Sequence, residues 1–388
     1  MRKIIYGAQV WTMTGTNYAP GLVAFDEDGI IRTVEDCPPS FEEEGVEIID
    51  GRGQILLPGF IEAHCHVGLL EENTPVEGND LNETSDPITP QMRALDGINP
   101  FDPAFEDALQ GGVTTVCILP GSANIVGGQA TIMKTGPLSW SERVVEEQSA
   151  IKCALGENPK RVYGDQKKAP ITRMASAALL REAFTRAKAY QCKKEKAKEP
   201  LTEPDLRWEA LLPLLEKKIP LRVHAHRSDD ILTALRIAKE FDLPLVIEHC
   251  TEGHLIAEDL AEAKVSAVVG PSLVNRAKVE MKEITPRTSA VLHKASVPFA
   301  IMTDHPVIPI QYLPLCAGLA VKHGLEEEAA LKAISISAAQ ILGLEKRIGT
   351  IEVGKEADLV LWKGHPFDIR SSVTTAWVKG KKVFPFLT

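Results

Sequence analysis

The feature that most restricts the fold of this 388-residue chain is a series of short apolar runs separated by helical segments. Six of these runs are GVTTVCILPG, AIKCALGEN, IPLRVHAHR, LPLVIEHC, VSAVVGPS and VPFAIMTDH. They are apolar nearly throughout, which is typical of strands buried on both faces of a parallel sheet. With strands also expected in LLPGFIEAHCH and GGQATIMKTG, the pattern gives about eight strands, the number that an α/β (β/α)8 TIM-like barrel needs. The helices are expected at 171–191, 205–217, 228–241, 252–263 and 326–343.

The two ends of the chain have a different sequence pattern, with short strand-like runs broken by turn residues. Residues 1–57 contain short strand-like runs broken by Asp-Gly pairs at 28–29 and 50–51, which indicate hairpins. The last residues repeat this pattern in GTIEVGKEADLVLWKG and TAWVKGKKVF. Neither end is large enough for its own core, so both are expected to pair into one small β-sandwich. The predicted domains are therefore 1–57 and 346–388, which form the sandwich, and 58–345, which forms the barrel.

Composition narrows the range of partners. A net charge of −10 gives no electrostatic reason to expect nucleic acid or an anionic membrane, which leaves a small-molecule substrate. The start MRKIIYGAQVW lacks a secretion leader, and no run of about 18 apolar residues occurs, so a cytoplasmic protein is expected. The seven cysteines include no C-x-x-C pair and are expected to be reduced. A homodimer is expected only because dimers are common.

Polar side chains collect where the apolar runs end, which is the catalytic face of a parallel barrel. Six of the ten histidines lie at four of these ends. In the stretch PGFIEAHCHVG, alternation along a strand points both histidines to the same face. Imidazole and carboxylate are ligands that zinc, iron or manganese accept when one position stays open. Each residue alone has an ordinary structural explanation, but their recurrence at the strand ends predicts a metal site there. The polar residues gathered at these ends are His64, His66, Glu157, His224, His226, His249, Asp304 and His305.

The chain resembles the metal-dependent amidohydrolase superfamily, and within it the imidazolonepropionase-like branch. The resemblance covers nearly the whole chain, from the β unit before LLPGFIEAHCH to the ending GTIEVGKEADLVLW. It implies one or two divalent metal ions, zinc first and iron or manganese as alternatives. It also implies metal ligands on the first, fifth, sixth and eighth strands, at His64 and His66, His224, His249 and Asp304. On the fourth strand Glu157 is preferred as the ligand, with a carboxylated Lys152 and Lys160 as alternatives.

Further residues are candidates for substrate contact. His226 shares a strand face with His224, which favours substrate contact or carbonyl polarisation over metal ligation. For His305, a role in orienting the loop or Asp304 is as well supported as a role in substrate contact or catalysis. Gln129 and Asn124 are placed near the substrate by the resemblance, although the adjacent glycines also suit a tight turn. Arg173 and Arg227 would suit a substrate carboxylate through bidentate pairing, but an ordinary surface or salt-bridge role explains each of them better. The long loop at 69–104 is a candidate lid.

These features predict a hydrolase that cleaves a C–N bond in a linear or cyclic amide, possible substrates being an N-acyl amino acid or a dipeptide. Asp304 would accept a proton from the attacking water and return it to the departing nitrogen, while His226 stabilises charge on the carbonyl oxygen. One alternative is a deaminase of an aminated heterocycle on the same scaffold. Another, of a different class, is a catalytically silent amidohydrolase-like scaffold protein.

Overall fold

Strands from both ends of the chain form the first of two eight-stranded sheets in the computed structural model, which describes residues 2–38, 45–72, 76–197 and 203–385. The neighbour order is β16-β15-β14-β5-β1-β2-β3, and β4 pairs with β1. Its strands are β1 Lys3–Trp11, β2 Asn17–Phe25, β3 Ile31–Asp36, β4 Glu47–Asp50, β5 Ile55–Pro58, β14 Leu359–Lys363, β15 Ser372–Val378 and β16 Lys381–Phe384.

This end sheet encloses a core of its own. Phe25 at the end of β2 and Trp377 in β15 lie far apart in the strand order, yet their ring centroids are 6.2 Å apart. Both rings belong to a buried cluster that also contains Val10, Leu56 and Leu359. A sheet whose distant strands share one cluster must curve back on itself, which gives the sandwich-like body expected from both chain ends. We retain 1–57, 58–345 and 346–388 as proposed domain boundaries on this basis.

The second sheet is the barrel, with strands hydrogen-bonded in chain order from β6 to β13. Its edges meet, because the His66 amide donates to the His305 carbonyl at 2.9 Å and the Thr303 amide and hydroxyl donate to Oε2 of Glu62 at 2.8 and 2.6 Å. The predicted α/β barrel is therefore confirmed. Its strands are β6 Phe60–Cys65, β7 Val113–Ile118, β8 Val126–Lys134, β9 Val144–Ala154, β10 Leu221–Ala225, β11 Leu245–His249, β12 Ser266–Val269 and β13 Phe299–Ile301.

The third barrel strand departs from the expected parallel order. Strand β8 pairs antiparallel with both β7 and β9, whereas the other barrel pairs are parallel. The cause is the length of its connections, residues 119–125 and 135–143, because a parallel crossover needs about a dozen residues or more. The beginning of β8, rather than its end, therefore lies at the catalytic face of the barrel.

Helices cover the barrel. The predicted helix at 228–241 is found with those limits, while 205–217 and 326–343 are each divided into two short helices. No helix within the described ranges is both long and apolar enough to cross a membrane. The helices are α1 Ala94–Gly97, α2 Ala104–Gln110, α3 Trp140–Arg143, α4 Glu157–Asp165, α5 Arg173–Lys196, α6 Leu206–Glu209, α7 Leu212–Leu215, α8 Ser228–Phe241, α9 Ala257–Ala263, α10 Thr288–Lys294, α11 Leu313–Lys322, α12 Glu327–Ala333 and α13 Ile336–Leu342.

Candidate metal centre

Five imidazoles and one carboxylate from four barrel strands meet at the catalytic face. All six side chains are buried, although each belongs to a residue type that is usually exposed or only partly buried. Because parallel strands present their carboxyl ends at one rim, residues far apart in sequence come together there. The ligand atoms form two groups, in each of which all atoms lie within 4.8 Å of one another: His64, His66 and Asp304 in the first group, and His224, His226 and His249 in the second.

The first group directs unprotonated atoms at one another. His66 Nδ1 donates to the Leu119 carbonyl at 2.8 Å, so its Nε2 carries a lone pair. His64 Nδ1 donates to the Glu248 carboxylate at 2.6 Å, so the neutral form of this ring presents the lone pair of its Nε2. These two Nε2 atoms lie 3.3 and 3.2 Å from Oδ1 of Asp304, which has no proton to share. His64 Nε2 and Asp304 Oδ1 are buried without a hydrogen-bond partner in the described chain, as expected of atoms that bind a cation.

The second group is a compact set of neutral rings. The ring centroids of His249 lie 4.3 Å from His224 and 4.5 Å from His226. Burial, followed by the neighbouring His224 ring, lowers the pKa of His226 to about 3, and burial holds the pKa values of the other two well below the usual histidine value. Neutral imidazole is the form that binds metal. Nδ1 of His224 is buried and has no hydrogen-bond partner within the part of the chain described, so it is available as a ligand atom.

Arg222 and Glu248 form a buried ion pair beside the first group, and Glu248 also binds His64. Arg222 Nε donates to Oε1 of Glu248, whose other oxygen accepts from His64. Burial opposes ionisation of Glu248, but Arg222 and His64 outweigh it and lower its pKa to about 2. A carboxylate behind a metal-binding histidine fixes the ring orientation and tautomer. We did not predict Arg222 or Glu248 from the sequence, although a charged residue inside each of the apolar runs IPLRVHAHR and LPLVIEHC was a usable signal.

The backbone is strained where two of the ligands lie. His249 and Asp304 have φ angles of +64° and +56°, in the left-handed region that residues other than glycine seldom adopt. Such conformations cost about 1–3 kcal/mol and persist only where the surrounding structure enforces them. Their location at the ends of β11 and β13 aims both side chains at the common centre.

On the fourth strand the geometry favours Lys152 over Glu157. Lys152 in β9 is buried, lines the cavity and donates from Nζ to the Pro120 carbonyl at 3.0 Å. Burial lowers its pKa to about 8, although Glu248 and Asp304 act in the opposite direction. Glu157 lies beyond the strand as the first residue of α4 and is not among the described residues that line the cavity.

Of the six residues expected to contact substrate, His226 lines the cavity, whereas the other five lie elsewhere or are engaged by the protein and are absent from its described lining. Asn124 donates to the Glu83 and Asp86 carbonyls at 2.5 and 2.9 Å, and so holds the loop before α1. Gln129 donates to the Pro90 carbonyl at 3.3 Å. The remaining three bind other groups: Arg173 to Asp230, Arg227 to Asp229, and His305, which accepts from the Ile310 amide.

The cavity above the ligands has a volume of about 390 Å³, which suits a small molecule. Part of its wall is apolar. The polar part outside the ligand groups comes from α4, which carries Asn158, and from loops that a single sequence does not place, which carry Asn82, Ser122, Asn275 and Lys278.

Glu280 is a further buried carboxylate that the sequence did not reveal. It lies in a 3₁₀ turn at Val279–Met281, and its Oε2 accepts from the Glu157 amide at 2.9 Å. Its Oε1 lies 3.8 Å from Nε2 of both His224 and His226. Glu280 therefore adds negative charge beside the second group of ligands.

The protein is thus an eight-stranded barrel whose strand ends carry histidine and aspartate side chains that could bind a divalent metal. The chain belongs to the amidohydrolase family, whose family model matches residues 55–383. Proteins of this family are hydrolases that act on carbon–nitrogen bonds, and superfamily members bind divalent metals.

Individual relatives agree with this membership. An amidohydrolase from Thermotoga maritima MSB8, known from a crystal structure, is 46% identical to this chain in sequence. The two structures superpose with a TM-score of 0.94 over 98% of this chain and 99% of that chain. The amidohydrolase tasK of Hapsidospora irregularis is 29% identical over 92% of this chain, which spans only 39% of that protein. An imidazolonepropionase of Rhizorhabdus wittichii is 26% identical over 92% of both chains. The resemblance to the imidazolonepropionase-like branch is thus confirmed.

Proposed function

We propose that this protein is a metal-dependent amidohydrolase that hydrolyses the C–N bond of a linear or cyclic amide. The observation that carries the proposal is the convergence of Nε2 of His64 and Nε2 of His66 on Oδ1 of Asp304 within 3.3 Å, where His64 Nε2 and Asp304 Oδ1 are buried without a hydrogen-bond partner in the described chain. Three acceptor atoms at this separation repel one another unless a cation lies between them. The donor set suits zinc first, with iron or manganese as alternatives.

We assign the ligands as His64, His66, His224, His249 and Asp304. A bound divalent cation would polarise the substrate carbonyl and lower the pKa of a coordinated water from about 15.7 to about 7. Asp304 would lie beside that cation, and a nearby opposite charge favours the ionised form of a carboxylate. The carboxylate is therefore ionised at neutral pH and can accept the proton of the attacking water.

Two side chains then handle the proton and the developing charge. Asp304 returns the proton to the departing nitrogen, so it acts first as general base and then as general acid. His226 is neutral, and its Nδ1 lies 2.7 Å from the Thr251 hydroxyl. If the Thr251 hydroxyl donates to Nδ1, the ring proton lies on Nε2, from which it stabilises charge on the carbonyl oxygen.

Lys152 is the proposed fourth-strand group. Its lowered pKa leaves a useful fraction of neutral amine at pH 7 to 8. A neutral amine adds CO2 to give a carbamate and a proton, and the carbamate would offer two further oxygen atoms as ligands for a divalent metal. The number of bound ions then depends on Lys152: two with the carbamate, one without it.

The function is tested with metal-loaded protein and a substrate panel of N-acyl amino acids, dipeptides, cyclic amides and aminated heterocycles. Release of a new carboxylate and amine supports amide hydrolysis, whereas ammonia release from the heterocycles alone supports a deaminase. A protein purified without chelator that holds no metal and turns over no compound would be a silent scaffold. Replacing His64 and His66 together should lower the metal content per chain, and an unchanged content would contradict their assignment.

A further inference from the structure

Hydrogen-bond donors dominate the polar wall of the cavity outside the ligand groups. Asn82 Oδ1 accepts from the Ala123 amide at 2.9 Å, which leaves the Asn82 Nδ2 atom as the group available to a ligand. Ser122 Oγ accepts from Asn158 Nδ2 at 2.8 Å, so its hydroxyl proton remains free to donate. Both residues therefore offer protons to the cavity.

Lys278 adds a positive charge to the same wall. Its Nζ donates to Asn158 Oδ1 at 2.9 Å, and two of its three protons remain for other partners. The one carboxamide of Asn158 thus binds Ser122 through nitrogen and Lys278 through oxygen, which fixes these two donors side by side. Glu280 Oε1 lies 3.9 Å from Nζ and orients the ammonium group, but Glu280 itself is buried and does not line the described cavity.

Glu280 compensates the charge of Lys278 in part from outside the cavity, and the described lining adds no acid beside Lys278. The lining carboxylate is Asp304, which belongs to the first ligand group, and the second lysine, Lys152, is buried in β9 and bonded to Pro120. The arginines that the sequence offered for anion binding are held by aspartates at the start of α8. The part of the cavity near Lys278 therefore favours an anion.

The remaining wall is apolar: Leu70, Leu81, Val274, Met281 and Val307. We infer that Lys278, Ser122 and Asn82 form a carboxylate-binding subsite, so that the substrate is an amide with a carboxylate near the cleaved C–N bond and an apolar side chain. An N-acyl derivative of an apolar amino acid has this chemistry. The inference rests on the proposed amide hydrolysis and assigns its substrate class.

The test compares N-acetyl-L-methionine with N-acetyl-L-methioninamide, which differ in the carboxylate alone. With metal-loaded wild-type protein, kcat/KM for the acid should exceed that for the amide by about 10- to 100-fold, the range of a hydrogen bond to a charged group. Lys278→Met should remove this preference by raising KM for the acid, with kcat and the amide reaction nearly unchanged. Lys278→Arg should retain most of the preference, and Lys282→Met on the same loop should behave as wild type.

Calorimetric titration of both compounds separates this inference from the proposed function. If neither compound is hydrolysed, but the acid binds and Lys278→Met abolishes its binding, the subsite stands and hydrolysis of this amide fails. Equal affinity for acid and amide, no binding of either compound, or an equal loss of both in Lys278→Met would overturn the subsite. Unchanged thermal unfolding of the variant shows that the loss is not a folding defect.

Discussion

The nitrogen that carries the proton on each histidine decides what the centre can bind. The Leu119 carbonyl and the Glu248 carboxylate each accept a hydrogen bond from Nδ1 of one ring, so His66 and His64 in their neutral forms both present lone pairs to Asp304. A hydrogen-bonded cluster of the same residues would alternate donors and acceptors. This arrangement has acceptors alone, and it is the physical reason for a cation at this point.

Asp304→Asn should keep the metal content near that of the wild type while kcat falls by about 10²–10⁴-fold, because an amide still offers an oxygen ligand but accepts no proton. Steady-state kinetics and elemental analysis measure the two effects. Asp242→Asn is the matched control, since Asp242 is an exposed residue with a φ of +58°, close to the +56° of Asp304. Wild-type turnover in Asp304→Asn would contradict the role of Asp304 in proton transfer.

Glu248→Gln should weaken metal binding by about 10- to 100-fold, because the amide no longer holds the His64 tautomer through a charged acceptor. It should also destabilise the fold by about 3–5 kcal/mol, since Arg222 stays buried without its partner. Chelator competition and urea unfolding provide the two measurements. Glu240→Gln, which removes an exposed partner of Arg181, should change neither, and unchanged metal affinity in Glu248→Gln would refute the link.

At the scale of secondary-structure elements, the two candidates for the metal-binding position at the fourth strand lie in different elements, Lys152 in β9 and Glu157 in α4. Strand β9 directs Lys152 into the barrel, while Glu157 follows Gly156, whose φ of +90° turns the chain into α4. Glycine adopts this conformation without steric cost. The sequence favoured Glu157 because it lies after an apolar run, but the run ends at Ala154 and the turn moves Glu157 out of the strand's direction.

Lys152→Met should reduce the bound metal from two ions to one per chain and lower kcat strongly, whereas Glu157→Gln should change neither. The physical reason is that Lys152 lines the cavity and Glu157 does not, within the described residues. Elemental analysis gives the number of metal ions per chain. After incubation with ¹³C-bicarbonate, a carbamate signal should appear in the wild-type protein and be absent from Lys152→Met. The opposite pattern, with metal lost in Glu157→Gln, would restore the glutamate as ligand.

For the whole molecule, a buried ion pair joins the barrel to the end sheet. Lys134 at the end of β8 contacts Asp358 at 2.5 Å and Glu356 at 3.2 Å, and both acids lie just before β14. All three side chains are largely shielded from water, with at most 13% of the side chain exposed. The antiparallel direction of β8 is what brings its last residue to the end of the barrel that faces the end sheet.

Lys134→Met should lower the free energy of unfolding by about 3–5 kcal/mol, because it leaves the buried carboxylate of Asp358 without its cation, whereas Glu356 keeps Arg347. Lys381→Met is the matched control, since Lys381 also joins the two bodies, through Glu142, but its side chain is 57% exposed. An exposed pair contributes at most about 1 kcal/mol. Urea unfolding measures both variants, and equal losses would show that burial is not the cause.

The sequence by itself determined the barrel, the pairing of both chain ends and the strand-end histidines and aspartate. These features depend on local rules: apolar runs with polar ends, alternation along a strand and turn residues, all of which act over a few residues. The tertiary structure decided the direction of β8, the positions of Lys152 and Glu157 relative to the cavity, and the wall formed by Asn82, Ser122 and Lys278. Those outcomes depend on where loops from distant parts of the chain meet, and no local pattern encodes the contact between residues 82 and 123 or between 158 and 278.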